Sequence, residues 1–167
     1  MHWDGSRWSI VPSPNVAPAP GTGNVDNSLR DVAVTATDDA WAVGSFEEEG
    51  LVRVEPTTYR PLALHWDGSR WSVVPLPDVG QGELDGVAAV DRDDAWAVGQ
   101  TMTRSGGDVA VRPLLLHWDG GNWTRVAAPT DGDASLYAVT AIPGGGLWAV
   151  GTQGPGSPAK SLVLRCS

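Results

Sequence analysis

Three short motifs recur through this chain in fixed order, and their spacing constrains the fold more than any other feature. Trp-Ala-Val-Gly stands at 41–44, 96–99 and 148–151. His-Trp-Asp-Gly stands at 2–5, 65–68 and 117–120, and a further Trp follows each of its Asp residues by four positions, at Trp8, Trp71 and Trp123. These landmarks absorb all nine Trp and all three His of the 167 residues. A period of about 50 residues marks a repeat architecture, in which each copy is one supersecondary unit that buries its apolar surface against its neighbours.

Each copy reads as four β-strands. Strand one is 29–34, 84–90 and 136–142; strand two starts at the Trp of Trp-Ala-Val-Gly. Strand three is 61–66, 113–118 and 161–166, and strand four is 8–11, 71–74 and 123–127. The runs are short, rich in Val, Leu and Trp, and bounded by Gly, Pro and Asp, which is the signature of strands joined by tight turns. The Asp-Gly pairs lie between strands three and four, where a hairpin turn favours Asp and Gly. With 21 Gly and 13 Pro, no stretch carries an uninterrupted helical period, so almost no helix is expected. In Leu114-Leu115-Leu116 the strand is apolar on both faces, which only a strand covered from both sides requires.

These features predict an all-β fold, a β-propeller of four-stranded antiparallel blades with three repeats in the chain. The expected blades are 29–75, 84–128 and 136–167, the last completed by 1–12. The completion is imperfect, because His2-Trp3-Asp4 and Arg165-Cys166-Ser167 claim the same repeat positions. Propellers typically have four to eight blades. The chain is therefore expected to be a partial ring belonging to a longer protein, or half of a six-bladed homodimer; a truncated product without independent function is the third reading.

The repeat resembles bacterial propeller repeats that pair a Trp-Ala-Val-Gly strand with a His-Trp-Asp-Gly-x-x-Trp hairpin, found among sialidase-type, photosystem-assembly-type and kelch-like propellers. The hairpin is similar to the sialidase Asp-box but one residue shorter. The resemblance implies the fold and an extracellular setting, although Met1-His2-Trp3-Asp4-Gly5 is not a signal peptide.

Composition removes several functions. The net charge is −9, with ten Arg, a single Lys160 and no basic patch, so nucleic acid is not an expected partner. No apolar run reaches the length of a membrane-spanning helix, and membrane insertion is not expected. The single cysteine, Cys166, occupies the slot of Trp118 and reads as a small apolar substitute. The histidines lie in strand three of different blades, roughly 10 Å out from the innermost strand, too divergent to share a metal ion. Asp38-Asp39 and Asp93-Asp94 offer oxygens suited to Ca²⁺, but they also suit turns, and the third copy has Gly144-Gly145 instead. No metal, no cofactor and no catalytic residue is therefore expected.

In an up-and-down blade, loops two–three and four–one share one face. These vary in length, at 45–60, 100–112 and 152–160, and at 13–28, 76–83 and 130–135, whereas the loops of the other face are short and constant. Variation on a constant frame is where repeat folds carry binding. Phe46, Glu47, Glu48, Glu49, Arg53, Tyr59, Met102 and Arg104 are the predicted contacts for a protein or glycan partner. The expected function is a non-catalytic binding or scaffold module. A sialidase-like enzyme is the alternative, with Tyr59, Glu55, Arg53 and Arg60 the only local grouping toward it. A copper-radical site of the galactose oxidase-like kind requires Tyr, His and Cys in convergence, and the histidines lie in the wrong strand.

Overall fold

A computed structural model of the chain describes residues 1–3, 5–18, 25–48, 58–130, 132–142, 145–154 and 158–166. A two-residue ribbon pairs β1 (His2–Trp3) with β2 (Trp8–Ser9). Three antiparallel meanders follow. The first sheet is β3 (Val25–Ala36), β4 (Asp39–Glu48), β5 (Thr58–Trp66) and β6 (Trp71–Val73). The second is β7 (Gly82–Asp91), β8 (Asp94–Ser105), β9 (Asp108–Trp118) and β10 (Trp123–Val126). The third is β11 (Ala134–Ala141), β12 (Leu147–Gln153) and β13 (Lys160–Cys166).

Successive sheets stack face to face. β7 lies against β3, β4 and β5, and β11 lies against β7, β8 and β9. Trp41, Val43 and Ala63 of the first sheet meet Leu84, Val87, Ala97, Leu114, Leu116 and Trp123 of the second. On its other face the second sheet gives Val98 and Leu115 to Leu136, Ala149, Leu162 and Leu164 of the third. Because side chains alternate along a strand, a sheet packed on both sides must be apolar at consecutive positions. Leu114, Leu115 and Leu116 are accordingly all fully buried. Up-and-down four-stranded sheets stacked in sequence order, each leading with its inner strand, form a propeller-type arc that the chain leaves open.

Two details differ from the expectations. Strand one of each sheet begins earlier than read, and strand two begins at Asp39, Asp94 and Leu147, ahead of the Trp. Residues 1–12 do not complete the third sheet within this chain: β1 and β2 pair with each other, and β13 is the outer strand of its sheet. The connection that follows β2 instead crosses the outer face of the first sheet. Val16 packs there on Ala42, Leu62 and Leu64. The Asn27 amide pins it, accepting from Val16 N at 2.9 Å and donating to Val16 O at 3.4 Å.

Candidate functional site

The repeat is most nearly identical where it builds scaffold. In the His-Trp-Asp-Gly turn, Asp67 Oδ1 accepts from Ser69 N, Ser69 Oγ and Arg70 N at 2.7–2.9 Å. Asp119 Oδ1 accepts from Gly121 N and Asn122 N. Gly68 and Gly120 follow in the left-handed region, at φ 92° and 89°, which a side chain disfavours. The Ser69 hydroxyl and then the Arg70 and Ser69 amides hold Asp67 down at about 2, and the Asn122 and Gly121 amides lower Asp119 likewise. His65 and His117 are structural in the same sense. His65 Nε2 meets Asp39 at 2.7 Å and His117 Nε2 meets Asp94 at 3.0 Å.

The paired aspartates thus divide their work, and they are not twin turn residues as expected. Asp39 and Asp94 open β4 and β8 and engage a histidine, while Asp38 binds Arg92 of the next sheet at 2.9 Å. Burial opposes the charge on Asp39, but hydrogen bonds from Thr35 and His65 outweigh it and lower its pKa. Among the described residues no group of three or more His, Cys, Asp or Glu converges as a metal site.

The copies diverge at a β-bulge in strand one. The register slips between Leu29 and Asp31, between Leu84 and Gly86, and between Leu136 and Ala138. The inserted residues are Arg30, Asp85 and Tyr137, three unlike side chains at one repeat position. The glycine of Trp-Ala-Val-Gly lies opposite each bulge. A Cβ on Gly44, Gly99 or Gly151 would collide with the backbone carbonyl of Ser28, Glu83 or Ser135. A bulge re-aims side chains, and here it sets a polar line across all three sheets. Arg30 binds Glu83 at 2.6 Å and Asp85 at 3.2 Å. Gln100 Nε2 donates to Glu83 Oε1 at 2.6 Å, and Ser135 Oγ donates to Gln100 Oε1. Tyr137 OH lies 2.9 Å from Thr152 Oγ1.

Asp85 is the member whose charge is least well met. Its side chain is 12% exposed, and its Oδ2 has no hydrogen-bond partner among the described residues. Burial and then the neighbouring Glu83 raise its pKa, with Arg30 opposing them. The line ends beside a cleft of about 200 Å³ lined by Val109, Val111, Asp133, Ser135, Thr152 and Gly154. Arg112 and Val111 N both reach Asp133 there, tying the β8–β9 hairpin to the third sheet.

The residues predicted as loop contacts lie mostly on strands. Phe46, Glu47 and Glu48 are in β4, opposite Arg60, Tyr59 and Thr58 of β5. Met102 and Arg104 are in β8, opposite Val111 and Val109. The expected loop 100–112 is a hairpin closed by Gly106 and Gly107 alone, both at positive φ (59° and 95°) as a two-residue turn requires. Glu49 and Arg53 lie outside the described residues, as does Glu55. Phe46 packs on the Ala42–Leu62–Leu64 cluster and, with Val16, Arg60, Leu76 and Val79, lines a second cleft of about 370 Å³. Met102 and Arg104 are not part of that cleft, so the predicted set divides between two places. Arg30, Glu83, Asp85, Gln100 and Ser135 were missed. Their one signal in the sequence is the mismatch of Arg, Asp and Tyr at a position where the copies otherwise align.

No family model matches this chain, and no curated protein matches it. Nine chains of solved structures do. One, described as "YCF48 bound to D1 peptide", is 14% identical with a TM-score of 0.47, over 92% of this chain and 45% of that one. This chain therefore spans under half the length of that structure. The propeller-type fold rests on the chain's own stacked sheets.

Proposed function

We propose that this chain is a non-catalytic binding module of the propeller type, presenting the face at the start of its inner strands to a protein partner. The observation that carries the reading is where its unique chemistry collects. His65, His117 and the turn aspartates serve the repeat, whereas Arg30, Glu83, Gln100 and Ser135 form one line across three sheets beside an open cleft. Alternating donors and acceptors beside apolar Val109 and Val111 suit an extended peptide, whose backbone carries both kinds of group. Met102 and Arg104, on the hairpin that borders this cleft, are the predicted residues best placed to contribute; Phe46 and Tyr59 belong to the other cleft or its strand.

Selection of a random peptide display library on the immobilised chain tests this. Peptides that bind the wild type are expected to lose at least tenfold in affinity on Ser135→Ala, with the melting temperature little changed, and on Arg30→Ala, which also lowers the melting temperature because Asp85 loses its counter-charge. Peptides that bind both variants as well as the wild type would overturn the site. A glycan array that outcompetes every peptide, or turnover on a panel of chromogenic glycosides, would overturn the protein-partner reading itself.

A further inference from the structure

The two end faces of the arc match the two halves of its own internal interfaces, and from this we infer that a second copy of the chain docks head to tail on the first. Each internal interface joins a Trp-side face to a Leu-side face. The Trp-side faces are Trp41, Val43 and Ala63 in the first sheet, and Val98 and Leu115 in the second, with Trp96 half-buried at the position of Trp41. The Leu-side faces are Leu84 and Val87 in the second sheet, and Leu136 and Val139 in the third. Repeat alignment assigns Trp148, Val150 and Val163 of the third sheet to a further Trp-side face, and Leu29, Val32 and Val34 of the first to a further Leu-side face.

Both are uncovered. Trp148, Val150 and Val163 are between 42% and 59% exposed, while Trp41, Val43 and Ala63 are fully buried. Leu29, Val32 and Val34 are between 45% and 66% exposed, while Leu84 and Leu136 are fully buried and Val87 nearly so. The occupant each face needs is thus present on the opposite end of the same molecule. The outer part of the first sheet is already prepared for such a neighbour. Val16 sits on it as Val79, at the same repeat position, sits in the core between the first and second sheets.

Edge pairing points the same way. Among the described residues β13 has no strand beyond it, and β2 pairs with no strand but the two-residue β1. β10 pairs Trp123 with Trp118 and Thr124 with His117. By repeat position, β2 of the second copy leaves β1 and pairs with β13, setting Trp8 opposite Cys166 and Ser9 opposite Arg165. Trp8, now 64% exposed, is covered in that arrangement, as Trp123 is at the same repeat position. A heterologous contact of this kind closes into a ring when the rotation allows. Two copies make six sheets, within the range of propellers.

Light scattering on the purified 167-residue chain is expected to give twice its 17.5 kDa mass. Trp148→Glu and Val34→Asp, on opposite faces, should each give a folded monomer with wild-type β circular dichroism. An equimolar mixture of the two should regain the doubled mass, because one of the two contacts in the mixed pair carries neither change. A wild-type monomer, an unchanged mass in both variants or no recovery on mixing would overturn the inference. A second measurement needs no disruptive substitution. Trp8→Cys, with Cys166 the only other cysteine, should cross-link between chains on mild oxidation; a disulfide formed within one chain would instead show an intramolecular clasp and overturn it.

Discussion

A glycine of the Trp-Ala-Val-Gly motif is kept small by a backbone rather than by its own conformation. Gly99 lies opposite the bulge that inserts Asp85, and a Cβ there would run into the carbonyl of Glu83, which cannot rotate away as a side chain would. Gly99→Ala must therefore shift strand β7 or flatten the bulge. Overpacking of this kind costs about 1–3 kcal/mol, and a thermal melt should show a clear loss. Flattening the bulge should also weaken any ligand held on the polar line, because Asp85 and Glu83 would be re-aimed. The motif was legible in the sequence but this reason was not. A bulge is a register event between two strands, and neither strand's own alternation records which of them carries the extra residue. Arg30, Asp85 and Tyr137 were hidden for the same reason.

Element by element, the sequence revealed the strands and understated their length. Apolar alternation located β8 and β9, but it fades toward Thr101, Thr103, Arg104 and Arg112, where polar residues on an exposed ladder look like a loop. Gly106-Gly107 was the signal for continuing the strands, since two successive positive-φ residues close a hairpin without splaying it. The predicted contacts Phe46, Tyr59 and Met102 consequently fell on strands. Trp41, Trp118 and Trp123 pack between the first and second sheets. Trp41 stacks on His65 at 4.6 Å, and meets Trp118 and Trp123 of the next sheet at 4.9 Å each. Trp41→Ala removes the largest buried side chain of that interface and should cost about 3–5 kcal/mol. Trp148, at the same repeat position, is exposed and lies under the Arg165 guanidinium at 5.7 Å. Trp148→Ala in the isolated monomer should therefore cost far less than Trp41→Ala. Equal losses in paired denaturant titrations would show that the two faces are not in the different states described.

At the scale of the whole molecule, acid should act on stability in two opposed stages. Asp39, Asp67 and Asp119 have folded pKa values below the ordinary 3.8. What they contribute is present in full above that value and is lost as pH falls through their folded values, near 2 for Asp67. Asp85 has the opposite sign. Its folded pKa lies above 3.8, so its ionisation works against folding at neutral pH, and protonation relieves this as pH falls toward 3.8. Protonation of other carboxylates also reduces the self-repulsion of a chain with net charge −9, in the same direction. The melting temperature should therefore rise between pH 7 and about 4, then drop steeply below it. Asp85→Asn separates the two causes of the rise. It removes one buried charge and leaves the other carboxylates in place, so it should raise the melting temperature at pH 7 and make the rise toward pH 4 shallower. The drop below pH 4 should be unchanged, because Asp39, Asp67 and Asp119 are untouched. If Asp85→Asn instead lowers the neutral-pH melting temperature, the Arg30 ion pair outweighs the burial of Asp85, and the polar line is a structural clamp before it is anything else.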